Sequence, residues 1–496
     1  MLFDNLLAIA ARAPSSSGLR AGGTFHDYAA LAERAGRLAR GLASRGIASG
    51  TPVAILLPNG PELFTVAYAL FAIGAIAVPL SVAAPVKELA TNARKAGIGA
   101  IIARDELAAT ATQLAAEIDP SGSLPVILST GGPSSLDVLA REPFGQQQAI
   151  ATDAPALYLF SSGSTGLPKV VPHTHGEMLA NGRATAIDFA LEPGDVIFNN
   201  LPGNHAMGFL NSVFEVPAAS ATTLYFSDPA PLLLARRRLL ATLAAEKVTI
   251  LPGVPFMFDA LAAATDAVDL SAIRLTYSAG VSLKRPIFDA FRARYGMTIR
   301  QAYGCTEAGH VAFNRASDPE STWDSVGQPV GDTVAEILPS ENPFGPEYGE
   351  IAFRSSSLTK GYLGLDKVNA IAFAGGHFAT GDLGRIDAEG NIYIRGRSKL
   401  IIEVAGHKVD PLEIEEMLLS HPAVAEVVVV GLPDPRTGEQ RLKAAVVKAD
   451  DVEPDALIRY ARERLSPQKV PALIEFRDAI PKSATGKILR GKLIED

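Results

Sequence analysis

LFSSGSTGLPKVV, residues 159–171, sets the terms on which the rest of the chain is read. From Ser161 to Lys169 it holds three serines, a threonine, two glycines and a proline, closed by the lysine. Small residues let backbone N–H groups approach an anion and the hydroxyls add donors, so the composition fits a loop that holds phosphate. It is not the P-loop of NTPases, which requires G-x-x-x-x-G-K-[ST]: Lys169 follows Pro168 and precedes Val170. PKSATGK (481–487) is a second near miss, with Pro481 in place of the first glycine and Ile488 in place of the hydroxyl residue. Kinase-type and GTPase-type readings lose their main support. A Ser/Gly-rich loop also serves as a plain connector, so other segments must decide.

At 496 residues the chain exceeds what one core usually organises, and two or more domains are expected. A hydrophobic share of 48% with 20% charged residues describes an ordinary globular protein. The net charge of −8 argues against nucleic acid or an anionic membrane as the main partner. One cysteine, Cys305, excludes an internal disulfide or a thiolate metal cluster within the chain and fits a reducing, cytoplasmic setting. The first residues, MLFDNLLAIAARAP, lack a basic segment leading into an apolar run, so a secretory leader is not expected. The most membrane-like stretch, Leu63 to Val78, falls short of the roughly 20 residues a span needs and contains Tyr68 and Gly74; it reads as a buried helix running into a strand.

Helical and strand-like segments alternate over about the first 320 residues. YAALAERAGRLARGLASRG (28–46) has helical periodicity and ends in glycine, while PVAILLP (52–58) is a short apolar strand. LLATLAAEKVTILPGVP (239–255) repeats the change from helix to strand. Such units favour a layered α/β body with largely parallel sheets. From about Val326 the texture becomes glycine-punctuated short strands, a β-rich part over 326–398. The remainder, 399–496, has a compact α+β pattern, its helix DPLEIEEMLLS marked by Asp410, Pro411 and Glu413 at N-cap, N1 and N3.

Two further segments carry chemistry. In AYGCTEAGH (302–310) an aromatic, a tight glycine and Thr306-Glu307 suit base stacking, phosphate contact and a Mg²⁺ ligand; one carboxylate suffices if a nucleotide supplies the other oxygens. A strand end with a solvated glutamate is the plainer alternative. LGRID and NIYIR flank the turn AEG, and if Asp387 pairs with Asn391 then Asp382 falls opposite Gly396, with Arg397 beside it. A carboxylate next to a guanidinium suits a cis-diol such as ribose, or is a surface ion pair.

These segments resemble the core motifs of the adenylate-forming superfamily, which includes acyl-CoA synthetases, luciferases and peptide-synthetase adenylation domains. The resemblance spans nearly the whole chain in order: GAIAVPL (74–80), SSGSTGLPK, LPGNHAMG (201–208), YSAGVSL (277–283), YGCTE, GEIAFRS (349–355), TGDLGRID (380–387), GRSKLIIEVAGHKVDPLEIEE (396–416) and PKSATGKILR (481–490). It implies a large α/β adenylation domain over 1–398 and a mobile C-terminal domain over 399–496. It also implies two half-reactions: ATP and a carboxylate give an acyl-adenylate and pyrophosphate, then a thiol displaces AMP.

By the same resemblance Ser161, Ser162, Gly163, Ser164, Thr165, Gly166 and Lys169 embrace the β- and γ-phosphates, while Thr306 contacts phosphate beside Gly304. Glu307 holds Mg²⁺, Asp382 and Arg397 bind the ribose hydroxyls, and Tyr303 lies against adenine, whose edge faces Ala279 and Gly280. Lys487 reaches between the carboxylate and the α-phosphate, where a compact cation offsets repulsion between two anions. Lys487, Glu307, Thr165 and His205 are thereby the implied catalytic group. Lys399 takes the hinge position, about which the small domain rotates to present VAGHK (404–408), with Gly406 leaving room for a pantetheine arm. His205 lies beside the acyl site, with Phe209 and Gly280. Two departures stand out: Val170 where the loop usually continues with glycine, and Glu403 where many relatives have lysine.

Amino-acid-activating relatives place an aspartate near His205; NHAMGFLNS has no carboxylate, which disfavours α-amino acids. Met207, Phe209 and Leu210 suit an apolar acyl or aryl group, or simply a core. The sequence ends nine residues after Lys487 with no carrier domain, so the thiol is expected in trans. CoA is the first choice and an acyl-carrier protein the second; a luciferase-like oxygenase or a nucleotide-binding regulator would also keep the ATP motifs.

Overall fold

The computed structural model describes residues 1–130, 132, 135–143, 149–161, 168–226, 228, 230, 232–404, 407–433, 440–465, 467–483 and 488–494. Ser162, Gly163, Ser164, Thr165, Gly166, Gly406 and Lys487 lie outside them. The chain packs into two units, Met1–Val334 with Arg354–Phe378, and Ala335–Phe353 with Ala379–Asp496. The β-rich stretch 326–398 is thus divided between them, most of its strands grouping with the C-terminal residues.

The first unit is the layered α/β body that the sequence leads one to expect. Among its described residues, one sheet runs in the order Val126–Leu128, Ala100–Ala103, Pro52–Leu56, Ile76–Pro79, Pro155–Ser161, Lys169–Thr174, parallel except for the last pair. The other is built on a parallel core ordered Ile299–Cys305, Leu275–Ser278, Ile250–Gly253, Val196–Asn199, Thr222–Tyr225, Gly18–Ala21. Antiparallel strands, among them Gly309–Phe313 and Thr24–Asp27, flank that core. Parallel strands covered on both faces need continuous apolar runs, and Ala100–Ala103, Ile76–Pro79 and Val196–Asn199 are buried throughout.

Local signals explain the boundaries. Asp27 caps the helix Tyr28–Ser44 by accepting from Ala30 N at 2.7 Å, and Gly46 at φ 85° turns the chain out of it. Leu63 to Val78 is the expected buried helix and strand, Pro61–Ala72 and Ile76–Pro79, with the Tyr68 hydroxyl donating to the Val213 carbonyl at 2.7 Å. Among the described residues no helix is long and apolar enough to cross a membrane.

Among its described residues the second unit holds two larger sheets. One is the four-stranded array Val334–Leu338, Gly349–Arg354, Phe378–Ile386, Ile392–Arg397. The other, Val424–Pro433, Gln440–Lys448, Leu473–Phe476, packs with the helices Pro411–Leu419 and Pro454–Arg462 around Val427, Val429, Leu442 and Leu457. Asp410 caps the first helix, accepting from Leu412 N at 3.0 Å.

Burial pushes the Asp410 carboxyl up to about 6, a shift the Leu412 N–H only partly opposes. The folded chain therefore binds this proton more tightly than the unfolded one. Stability present below roughly pH 4 is lost as pH rises through about 6. Asp410→Asn keeps a cap acceptor without the charge; it should leave stability unchanged near pH 4 and raise it by about 1–2 kcal/mol at pH 8, read by denaturant unfolding at both pH values.

Candidate active site

In open parallel sheets ligands bind beyond the carboxyl ends of the strands. Four sequence motifs of the first unit leave from such ends. The serine- and glycine-rich loop follows Ser161, LPGNHAMG follows Asn199, Ala279-Gly280 follows Ser278, and Thr306-Glu307 follows Cys305. Ala279 N donates to the Gly253 carbonyl at 3.0 Å, which ties the third of them to the end of the neighbouring strand Ile250–Gly253. By contrast a groove of about 680 Å³ lined by Val268, Leu270, Arg294 and Met297 precedes the strands Leu275–Ser278 and Ile299–Cys305, at their amino ends, away from every motif.

The phosphate-loop ends are fixed by pairing. Ser161 stands opposite Lys169 in an antiparallel ladder, so the motif joins strand to strand rather than strand to helix, which separates it structurally from a P-loop. Val170, the departure from glycine, pairs with Phe160 and accepts from Leu363 N at 3.0 Å; its backbone is an ordinary strand. Lys169 Nζ lies 4.3 Å from the centre of the Tyr362 ring.

Thr306-Glu307-Ala308 is the turn of a hairpin in which Cys305 pairs with Gly309, not a frayed strand end. Its three carbonyls are tied in succession: Thr306 O accepts from His173 Nε2 at 2.8 Å, Glu307 O from Thr359 N at 2.9 Å and Ala308 O from Asn181 Nδ2 at 3.1 Å. Gly309, at φ 73°, is in the left-handed region, and a Cβ there would run into the Asn181 amide, so glycine is required. The Glu307 side chain is 6% exposed and Oε1 accepts from the Tyr362 hydroxyl at 2.8 Å. Burial, then the Glu307 charge, push the Tyr362 hydroxyl well above the usual phenol range, so it stays a donor. Oε2 bonds to nothing among the described residues, leaving one carboxylate oxygen for a cation that brings its own phosphate ligands.

Tyr303 and Ala279 are buried, whereas Gly280 at φ 88° and Gly304 are exposed. His205 is half-buried at the N-cap position of the helix Ala206–Leu210. Phe209 is fully buried with its ring 6.0 Å from Phe214, which gives it the core role that the sequence left open beside substrate contact.

In the second unit Asp382 stands directly opposite Arg397, not opposite Gly396 as regular pairing from Asp387 and Asn391 predicts. A bulge between Leu383 and Gly384 places Arg395 as the extra residue of the partner strand and advances the register by one. Arg397 Nε and Asp382 Oδ1 are 2.6 Å apart, with the carboxylate side chain 6% and the guanidinium side chain 52% exposed. GEIAFRS supports this pair: Glu350 accepts from Gly381 N at 2.7 Å, the Ile351 carbonyl accepts from Thr380 Oγ1 at 2.7 Å, and Thr380 Oγ1 accepts from Asp382 N at 3.0 Å.

The family model of AMP-binding enzymes matches residues 8–363, and that of the AMP-binding enzyme C-terminal domain matches 413–487. The chain belongs to the AMP-binding enzyme family. It is 32% identical over 490 residues to a feruloyl-CoA synthase of an Amycolatopsis species, covering 97% of this chain and 96% of the relative. It is 30% identical over 509 residues to the sulfoacetate–CoA ligase of Cupriavidus necator, covering 99% and 98%. The crystal structure of the anthranilate CoA ligase AuaEII with anthranoyl-AMP superposes with a TM-score of 0.87 at 26% identity, covering 99% of this chain and 96% of that one. The enzyme is an AMP-forming acid–CoA ligase: it activates a carboxylic acid with ATP as the acyl-adenylate and transfers the acyl group to CoA.

The enzyme's Tyr362, Thr359, His173 and Asn181 carry no signal in the sequence reading. Tyr362 lies outside every quoted motif, and its bond to Glu307 spans 55 residues. Removing a hydrogen bond to a buried carboxylate costs about 1.5–3 kcal/mol. Tyr362→Phe should therefore lower carboxylate-dependent ATP–pyrophosphate exchange by roughly 10- to 100-fold while leaving the far-UV circular dichroism unchanged.

Proposed function

We propose that the enzyme acts on a small organic acid, aromatic or short-chain, in the cytoplasm, with CoA as the acceptor, and that the motif residues divide the two half-reactions between them. Ser161 to Lys169 would hold the β- and γ-phosphates. Thr306 would meet phosphate, Tyr303 would lie against adenine near Ala279 and Gly280, and Asp382 with Arg397 would hold the ribose hydroxyls. Glu307 would contribute the protein ligand to the Mg²⁺ that arrives with ATP. When bound, that cation neutralises phosphate charge; the chain's own part is to hold the Glu307 side chain still through Tyr362.

The observation that carries this reading is the tied Thr306-Glu307-Ala308 turn. Charge builds on the α-phosphate and on the departing pyrophosphate during adenylation, and donors and cations fixed beforehand stabilise it without reorganising. Three anchored carbonyls hold the peptide still, so the carboxylate that would position the cation is fixed beforehand. Lys487 would act between the two anions and His205 beside the acyl group. Lys399 would be the hinge that withdraws Lys487 and brings Gly406 to the thiol; it lies in the interval 364–412 between the two family-model matches.

The substrate class draws on the relatives named for ferulate, sulfoacetate and anthranilate, all compact acids, and on the lack of a carboxylate from Asn204 to Ser212 that disfavours α-amino acids. The single cysteine accords with a reducing compartment. An acyl-carrier protein is the alternative acceptor. Pyrophosphate release measured over acetate, medium- and long-chain, benzoate-type and dicarboxylate acids, each with and without CoA, should single out compact acids and show thioester only with CoA. Long-chain acids as the best substrates would contradict the reading.

Lys487→Ala separates the half-reactions, because a group acting in one transition state affects only that step. Adenylation should fall at least about 100-fold while thiolysis of supplied acyl-AMP persists within about threefold of wild type. Equal loss in both assays would remove Lys487 from the role given to it. Asp382→Asn should raise KM for ATP by roughly tenfold and leave KM for the acid unchanged, since a charged hydrogen bond to a hydroxyl is lost.

A further inference from the structure

The chain from Asn211 to Glu215, immediately after the helix that His205 begins, forms a single turn of π-helix. Such turns are rare and concentrate at functional sites. With more than four residues per turn, Asn211 and Glu215 fall on nearly the same face. Glu215 is 1% exposed, yet Oε1 lies 2.9 Å from His310 Nδ1 and Oε2 is sealed without a partner among the described residues. A carboxylate in a dry site with one oxygen unpaired is costly, so its retention calls for a use.

The His310 ring is 5% exposed, 4.8 Å from Phe189 and 6.2 Å from Tyr277. Asn211 Nδ2 donates to the Tyr277 hydroxyl at 3.5 Å, and Asn211 Oδ1 is sealed without a partner among the described residues. The cluster is contiguous with the motif ends. Tyr277 stands two residues before Ala279, His310 three residues after Glu307, and Asn211 lines a void with Met207, Leu201 and Pro252. At about 10 Å³ that void holds about one water, and Met207, unbranched and half-buried, is the wall best able to yield. Because Nδ1 is committed to Glu215, His310 Nε2, which bonds to nothing among the described residues, is the ring atom available to a ligand.

We infer that His310, oriented by Glu215, reads the tail of the acyl group and selects acids that carry a hydroxyl over acids with a plain hydrocarbon tail. This rests on the acid–CoA ligase reading and goes beyond it. A hydroxyl satisfies Nε2 in either protonation state, as donor to a neutral ring or acceptor from a charged one. A hydrocarbon tail leaves Nε2, and with it the Glu215–His310 pair, desolvated and unanswered. Sites built to bond a substrate hydroxyl discriminate steeply against analogues that lack it. Glu215 is a positioning residue: it fixes which ring nitrogen faces the acid.

The test compares kcat/KM for matched acids, benzoate with its 2-, 3- and 4-hydroxy derivatives and butanoate with its 3- and 4-hydroxy derivatives, in wild type, His310→Leu, His310→Gln and Glu215→Gln. Wild type should prefer one hydroxy acid over its parent by roughly 100-fold. His310→Leu should erase that ratio by raising the parent acid's relative rate, with KM for ATP unchanged. His310→Gln should retain part of it, and Glu215→Gln should reduce it while shifting the pH profile for the hydroxy acid alone. A wild-type preference for the parent acid in both series overturns the inference without recourse to any variant. So does a His310→Leu enzyme that keeps the ratio, or that slows all acids equally. If no acid releases pyrophosphate from ATP with the wild-type enzyme, it is the ligase reading that fails.

Discussion

Three consecutive peptide carbonyls, at Thr306, Glu307 and Ala308, each have a fixed donor from a different part of the first unit, and the carboxylate between them is held by a buried phenol. This is the constraint on which the proposed chemistry depends. A glutamate at the end of a strand is free to turn into water; here Tyr362 offers it one hydrogen bond in a site where water is scarce, and the peptide bearing it cannot rotate without breaking three others. Thr359 and Tyr362 also tie the turn to the phosphate-loop strands. Leu363 N donates to Val170 O, and Lys169 lies over the Tyr362 ring. The strand that begins at Lys169 and the turn that bears Glu307 are thus both supported by one short segment, 359–363.

Parallel topology explains why the motifs are far apart in sequence. Each crossover returns the chain to the amino end of a new strand, so every carboxyl end presents another loop to the same side of the sheet. The loops carry function while the strands carry stability, and the buried apolar runs beneath them are indifferent to which acid is activated. The Asp382–Arg397 pair in the second unit is made differently. A bulge at Arg395, rather than a loop, brings Asp382 and Arg397 side to side, and Glu350 with Ile351 fixes the backbone beneath the aspartate.

Much of this was legible in the sequence because the relevant physics is local. The helix from Tyr28, the cap at Asp410, the buried stretch from Leu63, and the change to glycine-punctuated strands near Val326 follow from residue type and period. The hairpin around AEG was predictable, but its bulge was not, since no residue type announces an inserted position when the strand remains apolar and alternating. Tyr362, His173, Asn181, Glu215 and His310 were illegible for another reason. Their roles come from partners 55 to 133 residues distant, a relation that neither composition nor periodicity encodes.

The central claim is that the acid attacks the α-phosphorus of ATP, so that one carboxylate oxygen leaves with AMP. Turnover of an acid labelled with ¹⁸O in its carboxylate, followed by mass spectrometry of the nucleotide and phosphate products, reads this directly. The account predicts a single ¹⁸O in AMP and none in pyrophosphate. Label in inorganic phosphate with ADP as the nucleotide product, or unlabelled AMP, would contradict it.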